Sequence, residues 1–290
     1  MSNIVQTAPN TDDEAGTDSA VAILRPRTSN TEKVLRVVVP VAMLVLAVIG
    51  WHLIVVLNGI PKYILPTPGD VVTSLINDWP TLAPSLLVTL RITFTALILA
   101  LIGGVVMAII LVQSKWVELA LFPFAVILQV TPVIAIAPLL LIYVPETQTV
   151  LLIIAFLVAF FPILSNMVTG LKSVDHNLLN LYDLYGASRW QTLIYLKLPA
   201  SLPYFMAGLR IAGGLALIAA VVAEFAAGTA GQGSGLAFRL LESQYRLNIP
   251  RLFAALILLT GTGIAIFGIT SFIAWLSLHR WHESAVKREN

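Results

Sequence analysis

The chain has 290 residues, 58% of them hydrophobic and 11% charged, with a mean hydropathy of +0.90. Soluble domains are about 45–50% apolar and about 25% charged, so this chain lacks the polar surface to cover a water-facing fold and expects lipid as its solvent. A net charge of +2 with scattered basic residues gives no case for nucleic acid. The lack of cysteine excludes disulfides, thiol nucleophiles and thiolate metal sites, and His52, His176, His279 and His282 offer too few ligands for a metal.

Residues 1–33 carry Asp12, Asp13, Glu14 and Asp18 among small polar residues. Such a segment cannot bury enough apolar surface to offset chain ordering, and a disordered tail is expected. Crossing the bilayer core takes about 20 apolar residues, and six stretches qualify: 34–57, 86–112, 119–143, 149–170, 208–228 and 252–278. The first is too long for a cleavable signal and has no small-x-small site. Pro40, Pro123, Pro132, Pro138 and Pro162 fall inside spans and tend to kink them. The third span, with three prolines, should bend most.

Basic residues beside the spans set orientation. Arg25, Arg27, Lys33, Arg36, Lys115, Lys172, Arg189, Lys197, Arg280, Lys287 and Arg288 share one side, which is expected to be cytoplasmic. Both termini then lie in the cytoplasm. Lys62, Arg239, Arg246 and Arg251 lie opposite, an exception to the bias. Glu242 follows Arg239 by three residues and precedes Arg246 by four, so a helix there would be internally paired. Arg91 and Arg210 stand near the starts of the second and fifth spans, where long stems can snorkel to the interface.

The loop at 171–207 is far longer than a tight helix connection needs. Ser173 can cap a helix on which Leu178, Leu181, Tyr182 and Tyr185 recur at helical spacing. Gly186 ends it. Ala187-Ser188 can open a second helix that runs to Pro199. Two short amphipathic helices with a glycine hinge suit either a lipid surface or a protein groove.

Glu224 is the carboxylate inside a span. It either lines the route or a dimer contact, or reaches headgroup water. Gly208, Ala212, Ala216, Ala219, Ala223 and Ala227 form a narrow small-residue face where a helix can approach, in a dimer or within the chain. The phosphate-loop pattern G-x-x-x-x-G-K-[ST] is missing, since Gly-Lys never occurs. The glycine-rich run 228–235 suits a turn.

The segment Gly186-Ala187-Ser188-Arg189-Trp190 through Leu198-Pro199, followed by Ala207-Gly208-Leu209-Arg210, closely resembles the cytoplasmic loop of binding-protein-dependent ABC permeases. That family's pattern is Glu-Ala-Ala, three residues, Gly, nine residues, Ile, one residue, Leu-Pro. Gly186 and Leu198-Pro199 match it, and Leu196 replaces Ile. Asn180-Leu181-Tyr182 replaces Glu-Ala-Ala, which removes the acidic group and keeps the helix–glycine–helix spacing. Thr131-Pro132-Val133-Ile134-Ala135-Ile136-Ala137-Pro138-Leu139 resembles the third span of the nitrate/sulfonate/taurine branch. So do Leu65-Pro66-Thr67-Pro68, Phe161-Pro162, Gly170-Leu171-Lys172-Ser173-Val174, Ala223-Glu224 and Gly233-Ser234-Gly235-Leu236 their counterparts. Arg251-Leu252-Phe253-Ala254-Ala255 and Trp281-His282-Glu283-Ser284 resemble a pyrimidine or vitamin-precursor sub-branch.

The resemblance implies an all-α membrane protein of the type I ABC importer permease kind, with six transmembrane helices and a cytoplasmic coupling loop. It implies that the first loop helix enters a groove on a separate ATPase. Tyr182, Leu184, Tyr185 and Gly186 would be buried there, with Asp183 and Arg189 at the rim. Ala187, Leu198 and Pro199 complete the motif. ATP and magnesium belong to that ATPase, and this chain is expected to hold no cofactor and to be no enzyme. The implied partners are an ATPase dimer, a second permease copy or related permease, and a periplasmic or lipid-anchored substrate-binding protein touching Arg239 and Arg246. The implied location is the bacterial inner membrane. An ion-driven secondary transporter would want several intramembrane ionisable groups and an internal repeat. A membrane enzyme would want clustered Asp, His or Ser. Neither pattern is present in the sequence.

Overall fold

The computed structural model describes residues 30–228 and 233–279. Most of the expected tail, the C-terminal segment from Arg280 and residues 229–232 lie outside them. The described chain is helical: α1 (Asn30–Leu57), α2 (Pro68–Asn77), α3 (Trp79–Gln113), α4 (Lys115–Val130), α5 (Val133–Tyr143), α6 (Thr147–Lys172), α7 (His176–Leu184), α8 (Arg189–Thr192), α9 (Leu198–Ala227), α10 (Leu236–Tyr245) and α11 (Ile249–Leu278). Among the described residues, five helical stretches are long and apolar enough to cross a membrane, six if the bent pair α4–α5 is counted as one span. The first of them, α1, belongs almost wholly to a separate compact unit ending at Leu53.

The third span departs most from a simple kink. Its axis turns by 104° between α4 and α5, because Thr131 and Pro132 both take extended backbone between the two helices. Pro132 restricts the residue before it and cannot continue the ladder of α4.

Helices α3, α6 and α9 make the core of the second unit, and small residues decide how close they come. Ala96, Ala100, Gly104 and Ala108 recur every four residues on α3, and all are buried. Ala96 and Ala100 pack with Ala155 and Ala159 of α6 and Ala212, Ala216, Ala220 and Ala223 of α9, and Gly104 lies against Ile163 of α6. Near the α7 end, Leu111, Leu164, Met167 and Leu171 continue the core and take in Leu193 from the loop. Lipid gives no hydrophobic drive between helices, so close packing has to hold them.

The antiparallel pair α6–α9 is closest at two glycines. A Cβ on Gly208 would lie 3.0 Å from Asn166 Cβ and 3.1 Å from the Pro162 carbonyl. One on Gly170 would lie 2.8 Å from Tyr204 Cβ and 2.9 Å from Ser201 Cβ. Gly208→Val is therefore expected to destabilise the chain by about 2–3 kcal/mol, read as a lowered unfolding temperature in detergent. An unchanged temperature would contradict this packing.

The small-residue face of α9 therefore packs inside the chain. Gly208, Ala212, Ala216 and Ala223 are all buried, and no second copy can reach them. The exposed face of α9 carries Ala207, Arg210, Ile211 and Ile218 instead.

The helix that holds the fifth span begins well before residue 208. Helical backbone runs from Arg189 to Ala227, so Pro199 does not end the second loop helix. Residues Leu193–Lys197 form a π-helical turn, with the Leu198 amide bonding the Leu193 carbonyl. That wider turn takes up the missing amide and the ring of Pro199. Gly228, at φ +55°, ends α9 as expected.

Candidate functional sites at the two ends of the bundle

At the α7 end, local chemistry builds a reversal. Asp175 caps α7 by accepting the Asn177 amide at 2.9 Å. Ser173 does not cap α7; its hydroxyl donates back to the Gly170 carbonyl at 2.9 Å. The helix closes on Gly186 at φ +68°. The Gly186 amide bonds the Asp183 carbonyl and the Ala187 amide reaches the Tyr182 carbonyl, both at 3.0 Å. This paired closure needs a left-handed residue after the cap, and glycine adopts that conformation without steric cost. Ser188 then starts α8 in a reciprocal capping box: its Oγ accepts the Gln191 amide, and Gln191 Oε1 accepts the Ser188 amide.

The reversal leaves Leu184 83% and Tyr185 82% exposed at its tip. Leu178, Leu181 and Trp190 are exposed too, while Tyr182 is half-buried. Asp183, Ala187 and Arg189 instead line a cavity of about 280 Å³ between the loop and the end of α3, with Gln113 and Lys197. Leu193 anchors the loop in the core. Leu198 is half-buried in the first turn of α9, and Pro199 beside it is exposed. This end thus presents an apolar, aromatic knob on a rigid glycine turn.

At the opposite end, α10 begins at Gly235, which has no side chain to cap it. Two acceptors come from other helices. The Leu236 amide donates to Thr89 Oγ1 at 2.8 Å, and the Ala237 amide donates to Glu224 Oε2 at 2.9 Å. Thr89 Oγ1 in turn donates to Glu224 Oε1 at 2.7 Å. Glu224 is only 2% exposed. It therefore neither lines an open route nor reaches headgroup water; it is the cap of α10. A carboxylate at a helix N-terminus also meets the positive end of the helix dipole. Gly235 is needed for space, because a Cβ there would fall on the Glu224 carboxylate.

Arg239 completes the attachment. Its Nε donates to Ser85 Oγ at 2.9 Å, and its guanidinium pairs with Glu242 at 2.8 Å. It is held against α3 and is not an open contact. Arg246 pairs with Glu242 at 3.0 Å and keeps most of its side chain exposed. The expected internal pairing of this helix is thus present. The Arg239 hydrogen bond holds the Glu242 carboxyl below its ordinary range. Arg251 pairs with Asp78 at 3.5 Å.

Ser85 and Thr89 are the partners that sequence reasoning missed. Their signal was present: Ser85, Thr89 and Thr93 recur every four residues on one face of a largely apolar helix, and all three are buried. A second missed element is α2, capped reciprocally by Thr67 and Asp70 with Pro68 at its first position.

A family model described as "Binding-protein-dependent transport system inner membrane component" matches residues 100–287. A probable ABC transporter permease protein of Haemophilus influenzae is 30% identical over 85% of this chain and 98% of its own length. A riboflavin transport system permease protein of Chloroflexus aurantiacus is 33% identical over 84% and 90%. Among solved structures, an amino acid ABC transporter with histidines superposes with a TM-score of 0.58 at 18% identity, over 70% of this chain and 96% of that one.

Proposed function

Since the chain belongs to the binding-protein-dependent transport system inner membrane components, the permease subunits of ABC importers, we propose that the 171–207 loop is where a separate ATPase docks. The observation that carries this is the knob itself. Leu184 and Tyr185 are almost fully exposed beyond the spans, on a turn fixed by Gly186. Exposed aromatic and aliphatic anchors on a rigid base suit insertion into a groove. Asp183 and Arg189 line the cavity behind the knob.

In this reading both termini are cytoplasmic, as the Lys/Arg bias requires. ATP and magnesium stay on the ATPase. Six spans without an internal repeat call for a second permease copy. The α10 end faces outward, and Arg246 offers its guanidinium to a substrate-binding protein. ATPase closure, transmitted through α7 and α8, rocks the spans between inward- and outward-open states. Glu224 is engaged in capping α10, and the family to which the chain belongs favours ATP-driven import over an ion-driven transporter.

Joint replacement Leu184→Asp and Tyr185→Asp is expected to strip the ATPase from the affinity-purified chain. Both sites are exposed, so the unfolding free energy should move by no more than about 0.5 kcal/mol. Undiminished ATPase recovery would contradict the docking site.

A further inference from the structure

Arg210 does not stand where a snorkelling arginine stands. It is twelve residues into α9, about 18 Å along a helix that continues backward to Arg189. Two neighbours fix its depth. Gly208 lies against Pro162, Ile163 and Asn166, a few residues from the middle of α6, so Arg210 is within about 5 Å of that midpoint. Its guanidinium lies 5.8 Å from the ring centre of Phe267, itself close to the middle of α11. Arg210 is therefore near mid-membrane.

It is also exposed, on the open face with Ala207, Ile211 and Ile218. Among the described residues no carboxylate pairs with it and no hydrogen bond engages it; the Phe267 ring is its one partner. An arginine at the centre of a span costs about 2.5–3.5 kcal/mol or more if it faces lipid, and such residues turn to water or a partner. A second guanidinium, Arg91, is likewise exposed and unpaired. It lines a cavity of about 210 Å³ with Thr95, Gln148 and Thr149 at the α10 end. The one carboxylate in that cavity, Glu146, accepts from Thr149 at 2.7 Å. Unpaired positive charge thus stands at two depths, while the buried carboxylate Glu224 is fully engaged.

We propose that the open face of α9 lines the water-filled translocation route and that Arg210 recognises an oxyanionic group there, so that the solute carried bears a carboxylate, sulfonate or similar group. This rests on the permease reading above and names the substrate class. A planar, permanently charged fork suits two oxygens of one anion.

The chain has no cysteine, so a single engineered thiol reports cleanly. Gly214 lies one turn beyond Arg210 and would meet nothing within 4 Å of a Cβ. Gly214→Cys should react, in membranes, with both the anionic sulfonatoethyl and the cationic trimethylammonioethyl methanethiosulfonates. The anionic-to-cationic rate ratio should fall about tenfold when Arg210→Gln is added. Ile218→Cys, on the same face, serves as a second position if Gly214→Cys does not insert. A thiol that takes only lipid-soluble maleimide, or a ratio indifferent to Arg210, would overturn the inference. ATPase recovery is followed in the same membranes. If it persists while the thiol stays silent, the route assignment alone fails; if it is absent, the ATPase-docking reading fails with it.

Discussion

Replacing Gly186 with valine is expected to abolish transport and to uncouple ATP hydrolysis, with the protein still present in the membrane. The reason is backbone conformation. Gly186 sits at φ +68°, and a Cβ there would meet no atom within 4 Å, so crowding plays no part. A β-branched residue in the left-handed region costs roughly 1–3 kcal/mol. The turn can shed that strain by giving up the amide contacts of Gly186 and Ala187 to α7. Leu184 and Tyr185 would then point elsewhere, and a docking knob that points elsewhere transmits nothing. Gly186→Asn, which tolerates the left-handed region, should retain most activity. The measurement is ATP-dependent uptake beside substrate-stimulated ATPase activity, at matched membrane levels. Normal uptake by the valine variant would remove the hinge from the account.

Glu224→Ala is the second large effect, and it falls on stability. It leaves the Ala237 amide without its buried acceptor and the Thr89 hydroxyl with the longer bond to the Ser85 carbonyl, at 3.3 Å. A buried donor left without its acceptor costs about 1–3 kcal/mol, so a loss on the order of 2 kcal/mol is expected. It should appear as a lowered unfolding temperature and as faster amide exchange confined first to residues 236–245. Glu224→Gln keeps one acceptor and should fall between. Gly235→Ala should mimic the loss, since its Cβ displaces the carboxylate. Combined with Glu224→Ala it should add little, because both remove one contact. Unchanged exchange in α10 would show that the carboxylate does not hold it.

The spans were legible because an apolar run of membrane length is a local signal. The small-residue stripe on α9 was legible as a face, but periodicity cannot say what the face meets. Its partners include Ala100 on α3 and Ala159 on α6, known only once the helices are assembled. The Glu224 cap joins residues 135 apart in sequence; what could be seen was a lone carboxylate and, separately, a Ser85-Thr89-Thr93 stripe. The Gly186 turn was readable from spacing because its hydrogen bonds close within five residues. Pro199 misled for an instructive reason. A proline ends an α-helix unless the preceding turn widens, and Leu193–Lys197 does widen.

The central claim is that the Gly186 knob docks on an ATPase and does not merely rest on lipid. Tyr185→Cys, labelled with a benzophenone maleimide in native membranes and irradiated, tests this most directly. The account predicts a covalent adduct whose attached peptide comes from a protein carrying G-x-x-x-x-G-K-[ST]. Adducts to lipid alone would contradict it.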